Sequence, residues 1–598
     1  MEYPRFCQLD GSHPFQEAVP GGYVPYRARR RSGVRVVWFN FALAREMGLI
    51  PAGHPDTLTP PLRRALRRTF GLVIINEYDL KHGPRVSPRD LLPGTYMATR
   101  YLQLQHPDRR GTTSGDGRSV WNGTVHHRGK AWDVSSCGTG VTRLCPATAT
   151  EGRFFQTGSN EASYGCGTAS LHEGMETVLM SEIFHRNGLN TERVLAILRA
   201  PDDFGIVVRA APNLLRPSHF LAPLKQGRRD RLQAMTDLHI QRQVQNNQFP
   251  TVTGRPARYR HWAREMARTF GRVAAVLESE YIFLWLDWDG DNILSDGGII
   301  DYGSVRQMGL CHREYRFDDG PRFSTSLTEQ RRKARSLVQN FAQIRDFLIH
   351  GKKSPLRSFA ADPILSLFDE TFRDTRLHRL LLRVGLPEPL AEQMLSRRRE
   401  KVMAFEQAHA SIERTRSARG PQPVADGINW NAVFSSRDLL RRLPRRLHEN
   451  QPIAARDILE MAYSSYATRK DRLPTAHRRR QAQQFLRSYR DLLDAAAGIS
   501  GRAPRRLLAT VRRRSALINR YARITGDSIT HAATALLKTR QQISSSAWHR
   551  IIENFIEDQI LVPELRSARQ TARPPVRGES RAILDELHEL NEMFRHGL

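Results

Sequence analysis

Cysteine is scarce in this chain, with five in 598 residues: Cys7, Cys137, Cys145, Cys166 and Cys311. Their number is odd and no two stand at zinc-clasp spacing. That excludes a disulfide scaffold and fits a reducing compartment. Long apolar runs are missing as well. The longest obvious one, Tyr281 to Leu286, is strand-sized, so no segment reads as a membrane span and no membrane partner is expected. The first residues, Met-Glu-Tyr-Pro-Arg, lack the charged-then-apolar pattern of a secretory signal, and a cytoplasmic location is the expectation. Negative charge is in deficit: 61 acidic residues face 92 lysines and arginines, a net charge of +31. Such an excess attracts polyanions. No zinc-finger or RNA-binding motif organises it, so nucleic acid is expected to bind only non-specifically, through bare charge.

What is present is length and a change of texture along it. A chain this long exceeds one core, and two or three domains are expected. Residues 30–220 mix short β-rich runs (Gly71 to Ile75, Gly205 to Val208) with glycine turns and one clear helix, Leu171 to Arg186. Residues 221–410 read as mostly helical. A polar Gly- and Pro-containing stretch, Arg414 to Gly427, reads as a boundary, and 428–598 is arginine-rich and helical in pattern.

The densest chemical signal lies near the middle. Asp287-Trp-Asp289-Gly-Asp291-Asn292-Ile-Leu294 is followed by a Ser-Asp-Gly-Gly turn and then Ile299-Ile-Asp301-Tyr302-Gly303. Asn292 and Asp301 are nine residues apart across an apolar strand and a turn. An amide oxygen and a carboxylate brought together by a hairpin suit Mg²⁺ or Mn²⁺, which takes one or two protein oxygens and fills its shell with phosphate and water. A calcium loop is excluded, because its sixth and twelfth positions would be Asn292 and Gly298 instead of Gly and Glu. Upstream lie Gly115-Asp116-Gly117-Arg118 and Gly165-Cys166-Gly167, loops in which backbone approaches phosphate closely. Arg209 and Arg216 form a pair able to fork onto phosphates.

In this order the elements resemble the selenoprotein O (YdiU-like) family over about residues 34 to 330. Further matches are Trp38-Phe39-Asn40 with Leu43-Ala44, Ser181-Glu182, Gly188 to Leu195, and Asp319-Gly320 with Arg322-Phe323. The resemblance implies a two-lobed protein-kinase-like fold of mixed α and β structure (α+β), with a mixed first lobe, a helical second lobe and extra C-terminal helices. It also implies transfer of AMP from ATP to protein hydroxyls, with the nucleotide flipped relative to ordinary kinases. Asn292 and Asp301 would hold the metal and Asp291 would act as base. Gly115, Gly117, Arg118, Arg209, Arg216 and Asp301 would contact the nucleotide, joined by Cys137, Cys166 and Gly167 at positions of the glycine loops.

The departures from the family pattern are as informative. Its phosphate-binding lysine is Cys137 here, its loop aspartate is Cys166, and the glutamate that pairs with the lysine is Thr177. Lys130 is a neighbouring candidate for the missing cation, and Glu173 and Glu176 for the missing carboxylate. Asp287 stands five residues before Asn292, the spacing of catalytic Asp and metal Asn in protein kinases. Three functions therefore stand: nucleotidyl transfer to proteins, phosphoryl transfer using Asp287, and a catalytically dead regulatory or scaffold role suggested by Cys137 and Thr177.

Overall fold

Strand-forming residues in the first third of the chain assemble a single twisted sheet. A computed structural model describes residues 2–83, 86–104, 106–159, 161, 165–202, 204–284, 288, 290–312, 326–417, 422–423, 429–520, 526–570 and 576–593. The strands are β1 (Tyr23–Arg30), β2 (Arg35–Phe39), β3 (Leu72–Ile74), β4 (Leu91–Thr99), β5 (Ser119–His127), β6 (Lys130–Cys137), β7 (Arg193–Arg199) and β8 (Gly205–Ala211). Their order is β2-β7-β8-β6-β5-β4-β1-β3, and every pairing is antiparallel. Helices and an antiparallel sheet are therefore segregated, in the α+β manner.

Both faces of the sheet are covered. Val134, Leu195, Leu198 and Val208 pack under the N-terminal segment and the helix Pro60–Phe70. On the opposite face, Trp121, Val194, Ile197 and Val207 share a core with Met175, Val178 and Leu179 of the helix Leu171–Arg186. That helix begins where Ser170 accepts a hydrogen bond from the Glu173 N–H, an N-cap that satisfies an otherwise orphaned donor.

Long helices follow: Pro217–Gln226, Arg229–Gln245, Arg255–Glu280, Leu327–His350 and Pro363–Val384. Within them lies a second small sheet, β9 (Ile282–Leu284) paired with β10 (Val305–Gln307). The turn expected after Leu294 is formed: Ile293 bridges Ile299, and the Leu294 N–H donates to the Gly298 carbonyl at 2.7 Å. A separate apolar core runs from Leu377 to Val511. Past it the chain returns to the first unit. The helices Gly526–Thr539, Ser545–Asp558 and Glu579–Met593 join the core of the Leu171–Arg186 helix. Arg186 donates to Glu553 at 2.8 Å and Glu557 at 2.9 Å, and His549 stacks on Trp38 at 4.4 Å.

Candidate functional site: a carboxylate-rich cavity between sheet and helices

Antiparallel register places the site residues on one end of the sheet. Ser119 stands opposite Cys137, and Cys137 opposite Val207. Strand side chains alternate, so Val207 and Arg209 face the same way. They line a cavity of about 280 Å³ together with Gly115, Gly117, Arg118, Cys137, Glu173, Thr177, Glu192, Arg216, Asp291, Asn292 and Asp301. Most of the site residues read from the sequence are thus gathered from segments scattered over almost two hundred positions.

The Gly115–Gly117 loop is tight for packing reasons. A Cβ on Gly115, whose φ is +154°, would stand 2.0 Å from the Thr99 carbonyl oxygen. Between the two glycines, Asp116 turns inward and accepts from the Thr99 N–H (2.9 Å), the Thr99 hydroxyl (2.6 Å) and the Trp121 indole (3.0 Å). His219 extends this network. Its Nδ1 accepts from the Arg216 N–H at 2.9 Å, so Nε2 carries the proton and donates to Thr99 Oγ1 at 2.9 Å. Burial, reinforced by the Arg216 charge, lowers the His219 pKa to about 3 and keeps the ring neutral.

Each arginine of the cavity has a carboxylate. Arg118 forks onto Glu173 at 3.0 and 2.5 Å. The Cys137 sulfur beside it, and then Glu173, raise its pKa. Arg209 reaches Glu192 at 3.4 Å and Ser119 Oγ at 3.2 Å. Arg216 donates to Asp291 Oδ1 at 2.6 Å and to its carbonyl at 2.8 Å, and lies 4.7 Å over the Tyr101 ring. Gln103 donates to the other Asp291 oxygen at 3.2 Å. Burial raises the Asp291 pKa although Arg216 opposes it. Six carboxylates (Asp116, Glu173, Glu176, Glu192, Asp291, Asp301) line the cavity against three arginines. With Asn292 and Asp301 flanking it, this oxygen-rich donor set suits a hard divalent cation.

Asp301 sits at φ +67°, an uncommon conformation for a non-glycine residue. Its N–H donates to Glu192 Oε1 at 3.2 Å, and the Tyr302 hydroxyl hydrogen-bonds Thr191. Glu192, 1% exposed, therefore joins Asp301 to Arg209. Glu192 lies within the family-like stretch Gly188 to Leu195, where the sequence alone gives it no role. The only local signal is a charged residue where the chain enters an apolar strand.

Three expectations are corrected or bounded. Cys166 and Gly167 do not line the cavity. They pack behind it, where the Gly167 carbonyl accepts from the Gly140 N–H at 3.0 Å. Lys130 does not replace the missing lysine. It begins β6 while Cys137 ends it, about 23 Å away at strand rise, and it pairs with Glu46 at 3.4 Å. Asp287, Asp319, Gly320, Arg322 and Phe323 lie outside the described residues. Elsewhere the family-like motifs explain one another. Asn40 caps the helix Phe41–Glu46 and donates to Glu182 at 2.8 Å, and Glu182 takes Arg193 at 2.7 Å.

No family model matches the chain. Among curated proteins it is similar to protein nucleotidyltransferase YdiU of Tolumonas auensis, 26% identical over 206 residues, 32% of this chain and 35% of that protein. The YdiU of an Exiguobacterium species is 27% identical over 239 residues, 38% and 45% of the two chains. The YdiU of Shewanella oneidensis is 24% identical over 171 residues, 27% and 31%. The chain is a divergent relative of the YdiU proteins. The matches span less than half the length of these relatives. Among the described residues no helix is long and apolar enough to cross a membrane.

Proposed function

We propose that the chain is a metal-dependent protein nucleotidyltransferase that moves AMP from ATP to protein hydroxyls, in a kinase-like frame of two lobes with the cavity between them. The observation that carries this reading is the convergence of Arg118, Arg209, Arg216, Asp291, Asn292 and Asp301 on one cavity. The name of the similar YdiU proteins, protein nucleotidyltransferase, points the same way.

Asn292 and Asp301 would hold the divalent cation, with Mg²⁺ or Mn²⁺ supplying charge neutralisation for the polyphosphate. The arginines bind and orient. Phosphate oxygens compete with Asp291 for the Arg216 guanidinium, and with Glu192 for Arg209. Once Arg216 turns to phosphate, Asp291 Oδ1 is free to accept the proton of the attacking hydroxyl. Burial, which raises the Asp291 pKa, makes it a stronger base. The hydroxyl oxygen bonds to the α-phosphorus, the bond to the β-phosphate oxygen breaks, and pyrophosphate leaves towards the arginines.

The Arg118–Glu173 pair supports an active enzyme over an inert scaffold. It supplies a cation and carboxylate where the family resemblance places Lys and Glu but this chain has Cys137 and Thr177. The test is labelling with ATP marked separately at the α- and γ-phosphates. Retained α-label is the expected result. Retained γ-label would instead assign phosphoryl transfer and bring Asp287 forward. Absence of both, with nucleotide still bound, would favour the regulatory role.

A further inference from the structure

A second cavity, of about 400 Å³, opens where the helix Arg255–Glu280 ends, the helix Leu327–His350 begins and the helix Arg399–Glu413 closes over them. Its electrostatics are opposite to those of the first. Five arginines line it, Arg331, Arg376, Arg383, Arg414 and Arg416, against two glutamates, Glu278 and Glu413. Both glutamates are committed. Glu278 faces Arg376 at 3.3 Å and Arg331 at 3.7 Å. Glu413 accepts from the Tyr281 hydroxyl and from Ser436 Oγ at 3.1 Å, and stands 3.9 Å from Arg383.

What remains is unmet donor capacity. Among the described residues, the Arg416 guanidinium donates to the Glu413 and Thr415 carbonyls and the Cys311 sulfur. Among the described residues, neither Arg414 nor Arg416 has a carboxylate within ion-pair distance. Two lining side chains are almost wholly buried yet incompletely bonded. Among the described residues, Arg383, 4% exposed, has no hydrogen-bond partner for Nε, and His409, 3% exposed, has none for Nε2, which stands 3.9 Å from Glu413. A buried polar atom without a partner costs about 1–3 kcal/mol. Converging guanidinium forks satisfy several oxygens of one multiply charged anion at once, the geometry of phosphate recognition.

We propose that this cavity is an anion site for a small phosphate compound, separate from the nucleotide cavity. It is continuous with the first through the chain. Met308, which follows β10, donates its N–H to the Tyr281 carbonyl at 2.9 Å, and Tyr281 and Cys311 both line the second cavity. Ten residues therefore lead from Asp301 in one site to Cys311 in the other. The proposal stands apart from the catalytic reading, because it needs binding and no turnover.

The test is calorimetric titration of the full chain with inorganic pyrophosphate in the presence of EDTA. Without metal, the first cavity offers six carboxylates against three arginines and is a poor anion host, so the second cavity dominates. One saturable site per chain is expected. R414E/R416E should weaken it at least about tenfold, with the fold checked by circular dichroism. R209A/R216A should leave it within about twofold. R505E/R506E, two exposed arginines on the helix Pro504–Ile518, should also leave it within about twofold, as a control for bulk charge. Absence of saturable binding, equal weakening by R505E/R506E, or loss that follows R209A/R216A would each overturn the proposal. Citrate is expected to displace pyrophosphate only at roughly tenfold higher concentration, and equal displacement would overturn the phosphate assignment.

Discussion

At the scale of single residues, the cavity is a set of charges paired against each other. Asp301→Ala is expected to abolish the Mg²⁺ dependence of ATP binding, because it removes one of two proposed protein ligands from a site that relies on phosphate for the rest. Titration of ATP with and without Mg²⁺ checks this, and equal affinities for variant and parent would remove the metal from the account. The Arg118–Glu173 pair leads to a second expectation. Arg118→Ala should lower the rate of labelling about 10²–10³-fold, the usual cost of losing a preorganised charge in an active site. Cys137→Ala should change it by less than about tenfold, since the thiol supplies no fork of donors. The opposite ranking, in initial rates, would return the phosphate-binding role to Cys137. Asn292, Asp301, Arg209 and Arg216 were legible in the sequence, because spacing on a hairpin or strand is local information. The pairing of Arg118 with Glu173, 55 positions later, and the place of Glu192 between Asp301 and Arg209 were not, because only the assembled sheet creates them.

At the scale of elements, the same division holds. The helix Leu171–Arg186 is found at the bounds its sequence suggests, since Ser170 caps it and Asn187 ends it. The strands β4, β5 and β6 were harder to see. Residues 96–99 of β4, 119–123 of β5 and 131–137 of β6 are buried whichever face they point to, so the alternation that marks a half-exposed strand is absent from those stretches. The turn Ser295–Gly298 offers a test at this scale. Burial raises the Asp296 pKa from 3.8 to about 6. A raised carboxyl pKa in the folded state means that the protonated form is favoured there. The stability it contributes is full below about pH 4 and lost as pH rises through 6. Asp296→Asn should therefore raise stability by about 1–2 kcal/mol at pH 8, after allowance for partial exposure, and change it little at pH 4. Denaturant unfolding at the two pH values measures the difference, and a gain confined to pH 4 would contradict the sign.

At the scale of the molecule, the helix that carries Glu173 is held from behind by the C-terminal helices. Burial works against the Arg186 charge, but Glu553 and Glu182 outweigh it and raise its pKa. Arg186→Met should leave Glu553 and Glu557 facing an apolar stem, a loss of about 3–5 kcal/mol if the carboxylates stay buried. Hydrogen exchange should then rise first in the helix Ser545–Asp558, before the sheet strands. Uniform exchange throughout the chain would indicate that the C-terminal helices are not a separable cooperative unit. Glu173 and Arg186 are thirteen residues apart on one rigid helix, about 20 Å, so the same substitution is also expected to weaken ATP binding without touching the cavity.

The internal partners of the arginines have a consequence for discrimination. Arg216 is paired with Asp291 and Arg209 with Glu192 before any ligand arrives. Entry of a phosphate is therefore a displacement, and every guanidinium won from a carboxylate leaves that carboxylate stranded in a dry place. A bare, singly charged ion loses such a contest. A polyphosphate that brings its own cation wins it, because the evicted carboxylates gain a new counter-charge in the same event. Under the proposed function, the resting ion pairs of the cavity would therefore filter for metal-complexed polyphosphates.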